Sequence, residues 1–162
     1  MSKSKIVAIM ALIAFATGIL LVGNALAGEY FKLRAVWYTT KMDTINVGDE
    51  KDHMIALGEQ KGIFSNVQGK TFGEGFLGYC QWACDATPKG IACDGYLTMT
   101  DKDGAKIYMK WAQNPTGPHP WTFYKGTGKF EGVQGKGTWS PIYTAEPMQI
   151  YADVEGEVEL PR

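Results

Sequence analysis

Gly126-Thr127-Gly128-Lys129-Phe130-Glu131-Gly132-Val133-Gln134-Gly135-Lys136-Gly137-Thr138-Trp139 sets five glycines between two apolar, β-prone segments. Glycine tolerates positive φ and lets a second backbone come close, so this spacing reads as a tight corner between strands. Two corners fit it. One is the bent rim of a barrel, with Phe130 and Val133 turned inward as a plug; the other is an ordinary glycine-rich hairpin. A phosphate-binding loop fits poorly, because no Gly-Lys-Ser/Thr ending and no helical pattern follow to supply the amide cradle and the helix dipole.

Outward from this corner the apolar residues recur with period two, and Gly, Pro, Asn or Asp clusters interrupt them about every ten residues, an all-β pattern. Phe31, Leu33, Ala35 and Trp37 share one face of a first strand. Asn46 to Asp52 is a polar connection, and His53, Ile55, Leu57 and Glu59 share a face of a second strand that ends near Phe64. Phe76, Gly78, Cys80, Trp82 and Cys84 line one side of a third, and Thr87-Pro88-Lys89-Gly90 turns it into a fourth from Ala92 to Thr100. Asp103-Gly104 supplies a hairpin turn into Lys106 to Gln113. Asn114 to Pro120 holds three prolines, which lack the ladder donor, and reads as a loop with an exposed His119. Trp121 to Lys125 enters the glycine corner and Lys136 to Thr144 leaves it. In the last strand Met148, Ile150, Ala152 and Val154 face a core, while Gln149, Tyr151, Asp153 and Glu155 face water.

About eight short antiparallel strands leave a sandwich or a closed barrel. Closure removes the exposed edges, and eight strands enclose room for side chains or for one small ligand. Here Gly126 to Gly135 resembles the GTG-(basic)-(aromatic)-x-G-(aliphatic)-x-G signature of bacterial proteins with an allene oxide cyclase-like barrel, relatives of plant allene oxide cyclases and dirigent proteins. The likeness is close over this stretch and diffuse elsewhere. It implies an all-β, antiparallel eight-stranded β-barrel with an apolar lumen and a homo-oligomer, a trimer in many members. It further implies a cofactor-free action that steers the conformation of a reactive intermediate. No local motif carries the plant catalytic positions over to this chain.

At the other end of the sequence, Lys3 and Lys5 precede seventeen uncharged residues, Ile6 to Val22, and then Ala25-Leu26-Ala27. This is the pattern of a secretory signal peptide over residues 1–27, cleaved after Ala27, with a single barrel domain over 28–162 in the periplasm or outside the cell. An uncleaved anchor is the competing reading, since seventeen apolar residues approach the length that spans a bilayer. Cleavage would leave fourteen basic and seventeen acidic residues, about −3, with no basic cluster to displace counterions from a nucleic acid. Three cysteines in an exported chain imply one disulfide and one thiol. Cys80 and Cys84 lie roughly 13 Å apart on a regular strand, too far to bridge. Cys84–Cys93 would staple the base of a hairpin, and Cys80–Cys93 is its rival. The spacing matches no zinc site, and no metal or cofactor is implied.

The five Trp, eight Tyr and seven Phe would fill a core or line a lumen that stacks on a small apolar or aromatic molecule. The candidate ligand-binding residues are Arg34, Tyr79, Trp82, Tyr108 and Trp111. His53, at the start of an apolar strand after Asp52, would titrate near neutral pH at a barrel mouth, and with Glu59 it is the candidate proton-handling pair. The bland alternative for Arg34, Glu59, Tyr79 and Tyr108 is a water-facing position on the exterior, and for His53 a solvated ring. Three function classes follow: a steering enzyme, a lipocalin-like carrier that binds without converting, and a filled structural barrel.

Overall fold

The computed structural model describes residues 28–69, 71–143 and 149–161; the leader expected over 1–27 and the inward position of Met148 lie outside them. Eight strands run in order: β1 Glu29–Asn46, β2 Met54–Gln68, β3 Leu77–Thr87, β4 Gly90–Thr100, β5 Lys106–Gln113, β6 His119–Gly126, β7 Gln134–Tyr143 and β8 Gln149–Glu159. Each pairs antiparallel with the next, and β8 returns to β1, with Glu29 opposite Val158 and Tyr38 opposite Gln149. The sheet is a closed barrel, so the sandwich is excluded.

The period-two pattern decides what points inward. Phe31, Leu33, Ala35 and Trp37 are buried on β1, as are Ala152 and Val154 on β8. The lower half of the barrel, where the β2–β3, β4–β5 and β6–β7 connections lie, is packed solid. Phe72 and Phe76 of the β2–β3 connection fold inward, Phe72 standing 4.8 Å from Phe31 and 5.9 Å from Phe76. Trp121, 1% exposed, completes this floor.

The glycine corner is the stopper rather than a plain hairpin. Gly128–Phe130 forms a 3-10 turn, and Phe130 and Val133 are buried as a plug against Phe76. Gly128 and Gly132 sit at φ 59° and 88°, where an L side chain is strained. The chain doubles back so tightly that a Cβ on Gly126 would lie 1.8 Å from the Phe130 carbonyl oxygen. Lys129 of the same motif caps the adjacent turn by pairing with buried Asp101, whose Oδ1 accepts the N–H groups of Asp103 and Ala105 at 2.9 and 2.8 Å. Although burial opposes it, this partnership holds the Asp101 carboxyl below the usual range.

Two segments differ from the pattern reading. β1 continues to Asn46, pairing beyond Tyr38 with β2 alone among the described residues, so the β1–β2 hairpin rises past the rim as an arm. Its exposed, mostly polar residues give no period-two signal. Second, His119 and Pro120 belong to β6 rather than to the loop before it. His119 is held there by the Trp139 ring, 5.0 Å between centroids, and by the Asn114 N–H that its Nδ1 accepts at 3.3 Å.

Candidate functional site

The upper half of the lumen is not filled. A cavity of about 230 Å³ lies there, walled by the indoles of Trp37, Trp82, Trp111 and Trp139 and reaching the surface at Ile91, which is 45% exposed. Four side chains of this size would ordinarily choke an eight-stranded barrel. They do not, because three of them lie along the wall over glycines of adjoining strands. Trp82 of β3 faces Gly58 of β2 across the ladder, Trp37 of β1 faces Gly62 of β2, and Trp111 of β5 faces Gly95 of β4. A Cβ built on Gly58, Gly62 or Gly95 would meet the facing indole at 2.2, 2.6 or 2.7 Å. The missing side chains make room for the rings and leave the axis free.

Polar groups in this wall are few: the amides of Gln60 and Gln113, the Cys80 thiol and the Cys84–Cys93 disulfide. Among the described residues no charged side chain lines it. The disulfide joins Cys84 and Cys93, cross-strand neighbours directly opposite in the β3–β4 register. Cys80 is free and buried, and its Sγ accepts the Trp111 Nε1–H at 3.2 Å. Burial pushes its pKa up to about 12, so the thiol keeps its proton and is a poor nucleophile. Trp139 donates its N–H to the Ala112 carbonyl at 3.0 Å. Trp82 Nε1 is buried with no hydrogen-bond partner.

Of the candidate residues, Trp82 and Trp111 meet in this cavity. Arg34 is on the outer face of β1, where its Nε and Nη2 donate to the two carboxylate oxygens of Asp153 at 2.7 and 3.0 Å. Glu59 alternates with buried Gly58 and cavity-lining Gln60, so it also points outward, and its hydrogen bond with Tyr79 of β3 raises the phenol's pKa. Tyr108 lies in an outer cluster, 6.1 Å from the Tyr124 ring with the Lys125 ammonium 5.7 Å above its own. His53 stands at the rim between two carboxylates: Nδ1 lies 2.6 Å from Asp49 Oδ1 and Nε2 2.9 Å from Asp85 Oδ1. The Asp49 hydrogen bond, aided by Asp85, lifts its pKa above the ordinary histidine value against the opposing effect of desolvation, and Asp49 is lowered in turn.

Pattern reading passed over Trp37, Trp139, Gln60 and Gln113 as lining residues. The signal available for them was the isolated glycine inside a strand run, which marks a close approach. Gly58, Gly62 and Gly95 each name a place where a neighbouring strand must deliver something large.

No family model and no curated protein sequence matches the chain. Among solved structures it is similar to the pterocarpan synthase dirigent protein PsPTS1, at 11% identity and a TM-score of 0.53 over 84% of this chain and 98% of that one. It is also similar to the pterocarpan synthase dirigent protein GePTS1, at 11% identity and a TM-score of 0.50 over 83% and 87%. A pyocyanin demethylase aligns at 19% identity and a TM-score of 0.45 over 80% and 99%. At these identities the dirigent likeness establishes the shared barrel fold.

Proposed function

We propose that this chain is an exported barrel that takes a small apolar or aromatic molecule into the upper lumen and holds it in one conformation. Such confinement is how a dirigent-like or cofactor-free cyclase-like protein would direct a reaction, by orientation rather than by covalent attack. The observation that carries this is the indole-walled cavity kept open by glycines. Its volume of about 230 Å³ exceeds the roughly 150 Å³ that suffices to admit benzene in an engineered apolar cavity.

The carrier reading draws on a specific feature of its own. The cavity wall presents no carboxylate, histidine or thiolate among the described residues, so nothing there is equipped to move a proton. His53, held at the rim by Asp49 and Asp85, is the nearest thing to a proton handler that the enzyme reading has, with Glu59 outside the wall as the second. Native mass spectrometry of the protein isolated from its own compartment separates these readings. A co-purifying small molecule supports lumen binding, and its conversion on incubation, lost in His53→Ala or Glu59→Ala, supports catalysis. An unchanged ligand supports the carrier, and an empty barrel under all conditions removes both.

Export is supported by the leader-like first 27 residues and by the disulfide, which persists in oxidising compartments; an intact mass beginning at Gly28 is the check. No helix of the described residues is long and apolar enough to cross a membrane. Self-association through the outer wall is supported by a row of apolar residues in register, Ile142, Tyr151, Val36, Ile63 and Leu77, across five strands. Light scattering on the eluted protein decides it.

A further inference from the structure

From the lining of the cavity we infer the class of its ligand, an inference that rests on the lumen-binding reading: an uncharged, planar, two-ring aromatic molecule with a hydrogen-bond acceptor on its edge, which Trp82 Nε1–H takes. Three features of the wall lead there. Shape comes first. Indoles packed over glycines, with Trp111 and Trp139 edge to face at 86°, bound an aromatic-walled space that suits an aromatic guest, and the volume exceeds what a single benzene needs. Charge comes second. With no Arg, Lys or His in the wall, an anion would enter desolvated and unpaired, and with no carboxylate a cation would have ring faces alone as its counterpart.

The third feature is the leftover donor. Of the four wall indoles, Trp111 donates its N–H to Cys80 Sγ and Trp139 to the Ala112 carbonyl, while the N–H groups of Trp37 and Trp82 have no hydrogen-bond partner among the described residues. The Trp82 N–H, in the same wall, is buried without a partner. Native proteins seldom leave such a group orphaned, because its lost hydration is not repaid. A guest that supplies an acceptor recovers this; a hydrocarbon of the same shape does not. The N–H is covered in the empty lumen, so engagement requires the ring to turn its nitrogen edge off the β2 wall toward the guest. Trp82 is then a specificity-determining residue that ranks guests by edge chemistry.

The test uses four matched probes on the purified protein, followed by quenching of tryptophan fluorescence at mildly alkaline pH: naphthalene, quinoline, N-methylquinolinium and 2-naphthoate. Quinoline is expected to bind about five- to tenfold tighter than naphthalene, its near-isostere without the acceptor. That preference should vanish in Trp82→Phe and survive in Trp111→Phe. A second measurement stands should Trp82→Phe fail to fold. In the wild-type nitrogen–proton correlation spectrum, one indole N–H should move downfield with quinoline and stay in place with naphthalene. Equal binding of quinoline and naphthalene, or a preference that outlives Trp82→Phe, overturns the acceptor while leaving lumen binding intact. Tightest binding of N-methylquinolinium or of 2-naphthoate overturns the uncharged class in the same way. If none of the four binds, lumen binding itself fails and the ligand class with it.

Discussion

The side chain that Gly58 lacks leaves room for the Trp82 indole opposite it. A methyl group there would lie 2.2 Å from the Trp82 ring, so Gly58→Ala must drive the indole toward the axis or bend β2. Overpacking of this kind costs about 1–3 kcal/mol, and urea unfolding should show it. The sharper expectation is functional: probe affinity should fall by about tenfold or more, because the displaced ring occupies the guest's space. His53 gives a second expectation at this scale. Its pKa is raised in the folded protein, so the stability it lends is fully present below the unfolded value near 6.5 and is lost as pH rises through the higher folded value. Melting temperatures of wild type and His53→Gln should therefore differ most in mild acid and converge in alkali. The sequence marked His53 as a titrating rim residue but held no sign of its partners. Asp85 is 32 positions away and is delivered by β3.

Among the elements, the β3–β4 hairpin is tied at its rim end by Cys84–Cys93, a loop of nine in sequence separation. Closing a loop of that length limits the unfolded chain by about 2–3 kcal/mol on the loop-entropy model. Reduction, or Cys84→Ser with Cys93→Ser, should lower the urea midpoint accordingly and weaken probe binding, since both sulfurs line the cavity. Strands were legible in the sequence where one face is buried and the other wet, as in Phe31 to Trp37 and Ile150 to Val154, because alternation is the imprint of that boundary. The arm from Thr39 to Asn46 was not, since exposure on both faces leaves no such imprint. Facing direction was legible for apolar residues and illegible for Arg34, Tyr79 and Tyr108, whose amphipathic side chains suit either side of a wall. Only the register shows them outside, paired with Asp153, Glu59 and Lys125.

For the whole molecule, closure is the governing fact. The β1–β8 ladder joins residues more than a hundred positions apart, and until it forms β1 and β8 remain open edges of the sheet. Long-range pairing must follow the entropy of bringing the ends together, so refolding should be slow, milliseconds or longer, with β1 and β8 gaining amide protection together. The likeness between the glycine corner and the allene oxide cyclase-like signature pointed to a barrel before any pairing was known; period two alone would have left the sandwich standing. The apolar stopper of Phe72, Phe76, Phe130 and Val133 has a consequence for traffic. Among the described residues the vessel is corked at the bottom, so on the proposed lumen-binding function a guest enters and leaves at the rim. Two guests can never pass each other inside. Occupancy is then exclusive: a guest that lingers bars the next arrival, and its residence time sets the pace of exchange.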